Sequence, residues 1–309
     1  MKEVKNVLVG LVSIFVLLVV ADWAVGTWSE KMYYSSKYGI FHRQIYCLQE
    51  SEDEIVILGS SRAAHHYVPQ IFEDSLGMTC FNAGSDGMCI YYHYAILSSY
   101  IYRNAIPKLV VLDIQDMDVG KSDGATFTFE AALDRLSPHY KDNSSIMSMF
   151  ESLHWTEYIK LNSKTYRYNS KLVQLIKCNF IPYPENKGYE AVNGKLPDDI
   201  DFCNTPRKNV ELEYEKEKYL IKLLSLCKSN NIPLVMIYSP IFYNSQSNAK
   251  EKIIEISVKY NVPYWDYSNN PLFLDRNNFR DIDHLNNETA YRWSSFIANK
   301  IKVDFYGNK

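Results

Sequence analysis

Three short apolar runs in this chain each stop on small or polar residues. Ile55 to Leu58 runs into Gly59-Ser60-Ser61, Cys80-Phe81 into Asn82-Ala83-Gly84-Ser85-Asp86-Gly87, and Leu109 to Leu112 into Asp113. Strands of a parallel sheet read this way, because both faces are covered and the carboxyl end opens into a loop. Between the second and third runs, residues 88 to 107 are long enough for a helix that ends before Pro107. Strand and helix therefore alternate, and this alternation is the strongest constraint on the fold.

The rhythm resumes after residue 210. Residues 211 to 231 read as a helix with Tyr219, Leu223 and Leu226 on one face, followed by a strand in "IPLVMIYSP". Next come a helix over residues 247 to 260, the short strand "VPYWDY" and a closing helix capped by Asn286. In that last helix Ala290, Trp293, Phe296, Ile297 and Ile301 recur at helical spacing. Five strands alternating with helices predict an α/β fold, a three-layer α/β/α sandwich around a parallel, flavodoxin-like sheet. Residues 119 to 210 interrupt the pattern with turn formers and aromatics, and contain helix in "SIMSMFESLHWTEYIKL" and "YNSKLVQLI". A break this long inside a compact domain predicts an insertion that covers the site.

Lys2 and Lys5 precede an apolar stretch from Val7 to Ala21, which continues past Asp22 and Trp23 to Gly26. About 20 such residues just span a bilayer, so residues 6–26 are expected to enter the lipid. Residues 1–27 are read as an uncleaved signal anchor or transmembrane helix, with the amino terminus in the cytoplasm and the rest outside. A cleaved signal peptide is the competing reading, since Ala24 and Gly26 form a small-x-small site. No cysteine precedes Cys47, which argues against a lipoprotein anchor. Residues 28–309 suffice for one large α/β domain. The formal net charge of −3 gives no large basic surface for nucleic acid. The six cysteines lack C-x-x-C spacing, so a zinc site is not expected; buried thiols are, although an oxidising compartment would permit a Cys178–Cys203 disulfide.

A serine becomes a nucleophile when a base takes its proton and a third group fixes that base. In "FRDIDHLNN" Asp281 lies three residues before His284, so its carboxylate can fold back to the imidazole Nδ1 and leave the other nitrogen for a serine. Ser61 is the better nucleophile, placed where the strand turns into the next helix. There its own amide can join an oxyanion hole. Asp283 is the second choice as orienting acid. His65 and His66 are read as surface or packed side chains, and Arg62 as either an anion ligand or the partner of a neighbouring acid. Asp113, Asp116 and Asp118 lack the spacing of a calcium loop. Asn82 is expected to fix the loop carrying Gly84, and Asp86 to cap a helix.

Ser61 after the first strand, "NAGSDG" after the second and Asp281-x-x-His284 near the carboxyl end together resemble the GDSL/SGNH hydrolase superfamily, in the same order over nearly the whole soluble chain. The resemblance implies Ser61 as nucleophile, His284 as base, Asp281 as orienting acid, and the Gly84 amide beside that of Ser61 in the oxyanion hole. No metal or cofactor is implied. Two departures stand out: Ser60 replaces the usual Asp before the nucleophile, and "LDIQDMD" replaces the third block, so its oxyanion-hole Asn has no counterpart. Losing one such donor costs roughly 3 to 4 kcal/mol of transition-state stabilisation. Asn82, Arg62 and Gln115 are the candidates for substrate or oxyanion support. A membrane-anchored chain without that Asn is similar to the branch that acts in teichoic-acid D-alanylation and alginate O-acetylation. That likeness implies a serine esterase or O-acyltransferase acting on a cell-envelope glycan from the bacterial cytoplasmic membrane, with its soluble domain periplasmic or extracellular. The alternative is a non-catalytic protein of the same fold that binds glycan or docks with a membrane-bound O-acyltransferase.

Overall fold

The computed structural model describes residues 2–184, 186–203, 205 and 209–307. It divides into two compact units, Met1–Ile45 with Leu133–Tyr183, and Tyr46–Ala132 with Pro184–Lys309.

The second unit holds a five-stranded parallel sheet with helices on both sides, as the alternation predicts. Its strands are β1 (Ile55–Gly59), β2 (Cys80–Asn82), β3 (Leu109–Asp113), β4 (Leu234–Tyr238) and β5 (Tyr264–Asp266), in the order β2-β1-β3-β4-β5. The order reverses between β1 and β3, the place where open parallel sheets bind ligands beyond their carboxyl ends. Gly59 pairs with Asp113, so the loops after β1 and β3 emerge side by side.

All residues of β1, β3 and β4 are buried, which explains their unbroken apolar sequence. On one face Ile55, Ile57, Val111, Val235 and Ile237 join Trp293, Ile297 and Ile301 of the closing helix Asn287–Tyr306. The Asn286 side chain accepts the Thr289 amide at 3.1 Å and caps that helix as the sequence indicates. Elsewhere the helix Ile90–Tyr102 packs on the helix Tyr214–Ser229, with the rings of Tyr91 and Tyr219 4.8 Å apart. The buried stripe of the latter is broader than the expected Tyr219, Leu223 and Leu226. Leu220, Leu224 and Cys227 are buried and Leu226 only partly. Lys216 is also buried, because its ammonium donates to the Gly120 carbonyl at 2.6 Å and faces Glu213.

The first unit is helical. Its helix Lys2–Tyr34 is long and apolar enough to cross a bilayer, at about 1.5 Å of rise per residue. Its final turns are buried at Gly26, Ser29 and Tyr33. Gly26 has a steric role, since a Cβ there would lie 2.2 Å from that of Lys164. Tyr33 is fixed by a 2.7 Å hydrogen bond to His139 Nε2. None of the six cysteines, all among the described residues, is in a disulfide, and five of them are buried.

Candidate active site

Ser61 opens the helix Ser61–His66 directly after β1. The turn depends on Gly59, whose φ of +147° is unfavourable for other residues and whose missing Cβ leaves room for the Asp113 carbonyl. Ser60 is buried, and its hydroxyl accepts a 2.7 Å hydrogen bond from Gln115 Nε2. Ser61, the next residue, remains partly exposed.

His284 reaches Ser61 from the other end of the unit. Its Nδ1 donates to both Asp281 oxygens, at 2.9 and 3.0 Å, which leaves Nε2 to accept the Ser61 hydroxyl at 2.8 Å. Asp281 also accepts the amides of Asp283 and His284. Burial works against its charge, but these donors outweigh that and hold its carboxyl below the ordinary value. Asp283 points away and accepts the Tyr243 hydroxyl.

The loop carrying His284 is pinched between Phe279 and Leu285, which form an isolated antiparallel bridge. Below it lies His66, fully buried. Its Nε2 accepts the Leu285 amide at 2.9 Å, and its Nδ1 donates to Ser239 Oγ at 3.1 Å. Burial, together with the nearby His284 and Arg62, pushes the His66 pKa well below its ordinary value, so the ring is neutral. His65 is also buried but differently wired. Nδ1 donates to the Glu190 carbonyl at 2.8 Å, Nε2 lies 3.5 Å from Asp86, and the ring stands edge-on to His284 at 5.3 Å. Burial opposes a charge on His65, yet Asp86 and the Glu190 contacts raise its pKa above the ordinary value. Of the two readings of these histidines, the packed one is observed, and both rings border the surroundings of His284. A base three residues from an acid can be seen in sequence, whereas the amide contact of His66 with Leu285 spans 219 positions and leaves no local signal.

Of the two readings of Arg62, pairing with a neighbouring acid is the one observed, so it does not face a substrate, while the expectations for Gly84 and Asn82 change. Arg62 is buried, with Nη2 donating to the Ile114 carbonyl at 2.8 Å, Nε 3.4 Å from Asp113, and the guanidinium over the Tyr238 ring. Gly84 does not present a free amide, because its N–H already donates to Asn82 Oδ1 at 2.9 Å. Its lack of a side chain serves packing, since a Cβ would sit 2.4 Å from the Ala64 nitrogen. Asn82 fixes that loop as expected but is not available to a ligand: it is fully buried and its Nδ2 donates to the carbonyls of Ala63 and Tyr67. Gln115 alone of the support candidates reaches toward the nucleophile, through Ser60. Beneath them Asp113 accepts the Tyr67 hydroxyl at 2.7 Å, which makes it part of the buried framework.

Among the described residues one group, His65, Asp86 and Glu190, brings three metal-binding side chains within 4.8 Å of one another. Two of its members, His65 and Asp86, already face each other as described.

No family model and no curated protein matches this chain. Among solved structures it is similar to a protein from Bacteroides fragilis described as a candidate acylhydrolase, at 12% identity over 80% of this chain and 86% of that one. The TM-score is 0.32, too low for that likeness to bear on function.

Proposed function

We propose that this chain is a membrane-anchored serine esterase or O-acyltransferase acting on acyl esters of a cell-envelope glycan. The observation that carries the reading is the unbroken relay from Asp281 through His284 to the partly exposed Ser61 hydroxyl. In the first half-reaction Ser61 Oγ attacks the ester carbonyl carbon while its proton passes to His284 Nε2, and Asp281 stabilises the imidazolium. Collapse breaks the ester C–O bond, the leaving oxygen takes the proton from Nε2, and the acyl group stays on Ser61. Water or a glycan hydroxyl then attacks the acyl carbon and gives its proton to His284 Nε2; the bond from that carbon to Ser61 Oγ breaks, and Oγ takes the proton back from Nε2, so that water gives hydrolysis and the hydroxyl gives transfer.

Charge on the carbonyl oxygen needs donors. The Ser61 amide, at the first helical position, has no partner within its own helix. The Gln115 carboxamide spends one hydrogen on Ser60 and keeps a second, so it is the proposed substitute for the family's missing Asn. Lys2 and Lys5 at the start of the apolar helix would keep the amino terminus cytoplasmic and the sheet-bearing unit periplasmic or extracellular.

A second reading is favoured by the engaged Gly84 amide: a non-catalytic protein that binds glycan, or docks with a membrane-bound O-acyltransferase, through the same rim. One experiment separates them. The full chain in detergent should react with a fluorophosphonate probe and turn over a simple acetyl ester. Ser61→Ala should abolish both while the circular dichroism spectrum is unchanged. Equal labelling of wild type and Ser61→Ala would overturn the assignment, and glycan binding without turnover would favour the second reading.

A further inference from the structure

In the first unit the short helix Trp155–Lys160 buries none of its residues. A six-residue helix in water has little to hold it, since helices this short depend on packing of an apolar face. Here the apolar face is turned outward. Trp155, Tyr158 and Ile159, at positions i, i+3 and i+4, form one stripe with exposures of 66%, 37% and 56%. The opposite side is tied down: Glu157 accepts from Lys160 at 2.6 Å and from the Tyr166 hydroxyl at 3.1 Å.

What lies beside this stripe is set by the helix Lys2–Tyr34. Its apolar stretch starts after Lys5, and about 17 residues at 1.5 Å each bring it roughly 26 Å further, to Asp22, close to the full depth of a hydrocarbon core. Asp22 is thus at the exit, followed by Trp23, 65% exposed. Three hydrogen bonds fasten residues 163 to 165 to Asp22. Ser163 Oγ and the Thr165 amide donate to its carboxylate, and Thr165 Oγ1 donates to its carbonyl at 3.1 Å. Ile159 is four positions before Ser163, so it lies within about 14 Å of that anchored residue even for an extended chain.

We propose that the helix Trp155–Lys160 is an interfacial element, with Trp155, Tyr158 and Ile159 seated in the headgroup and upper acyl region of the same bilayer that Lys2–Tyr34 crosses. The inference rests on the reading of that helix as a membrane anchor. Tryptophan and tyrosine are the residues enriched at this depth, and a helix with one apolar face is the form that lies along it. The partner is a lipid surface and not an anionic patch, because Lys160 is already paired with Glu157 and Lys164 with Glu30. A second contact beside the anchor would restrict rotation of the first unit about the anchor axis.

The test uses the full-length protein in phosphatidylcholine bilayers with brominated acyl chains, which quench tryptophans in contact with lipid. The chain has five tryptophans, and Trp293 is fully buried. A Trp23→Phe/Trp28→Phe variant should retain brominated-lipid quenching, at low and high salt alike, and adding Trp155→Phe should remove it. If the anchor is inserted, shown by quenching lost from wild type to the Trp23→Phe/Trp28→Phe variant, but Trp155→Phe changes nothing, the interfacial helix is ruled out and the anchor stands. Were wild type to show no quenching at all, the anchor reading would fall and the proposal with it. A Trp155 shielded from both brominated lipid and aqueous acrylamide would place a protein partner on the stripe and also overturn the proposal.

Discussion

Ser61 and His284 meet at one point but are held there by different means. The turn from Gly59 to Ser61 is positioned by backbone: β1 is paired on both sides, Ser85 donates its amide to the Gly59 carbonyl at 3.0 Å, and Gly59 lies against Asp113. The loop from Phe279 to Asn286 has no strand neighbour of that kind. It is shaped by the Phe279–Leu285 bridge, by Asp281 folding back on its own loop, and by the buried His66 beneath. One partner is thus set by the sheet, and the other by the loop's own bridge, by backbone bonds from Leu196 and Phe242, and by side chains. Damage to the first should be read mainly as lost stability, and damage to the second as lost activity or altered pH response.

The sharpest way to break this contrast is Asp281→Asn. The amide keeps the size of the carboxylate but no longer favours the tautomer with hydrogen on Nδ1, so turnover should fall by roughly 10³- to 10⁴-fold. Because Asp281 is partly exposed and holds only its own loop, the urea midpoint should move little. Steady-state kinetics on an acetyl ester beside a urea titration checks both halves. A large fall in stability with turnover intact would mean that Asp281 is structural and the relay incidental.

Gly59→Ala should show the reverse pattern. A methyl group there meets the Asp113 carbonyl and the Ala63 Cβ, both 2.7 Å away, at a φ that alanine resists. A cost of about 2 kcal/mol or more is expected, read as a lower urea midpoint. The backbone has to move to relieve the contact, so some activity is lost as well. A midpoint equal to wild type would show that the turn is softer than the sheet pairing suggests.

The same contrast explains what could be read in advance. Buried strands carry their signature locally, so β1, β3 and β4 and the small residues that end them are visible as runs, and Asp281 with His284 as a short spacing. That Asn82 holds this loop is legible, but that it does so through the Gly84 amide is not, because "NAGSDG" specifies a tight loop without saying which amide points inward. Arg62 admits two readings from sequence, and only the placement of Asp113 on a neighbouring strand decides between them. The contacts of both histidines leave no local trace for a related reason: their partners Leu285, Ser239, Asp86 and Glu190 are all distant in the chain.

Those two histidines offer the finest version of the comparison, since adjacent residues should push stability in opposite directions with pH. His66 titrates well below its ordinary value near 6.5. Under more acid conditions the unfolded chain takes up a proton that the native one refuses, so its contribution is complete above pH 6.5 and declines below it. The limiting slope is about 1.4 kcal/mol per pH unit for one such group. His65 titrates above 6.5, so its contribution is complete below that value and is lost as pH rises through its native pKa. The stability of the full chain, followed as the urea midpoint from pH 5 to 8, should therefore carry an acid limb from His66 and a shallower alkaline limb from His65. In His66→Gln the amide can still accept from Leu285 and donate to Ser239, so the fold should survive and the acid limb should flatten. His65→Gln should flatten the alkaline limb alone. If either variant leaves its limb unchanged, that histidine does not differ in protonation between the native and unfolded chains, and the assignment of opposite shifts to the two rings fails.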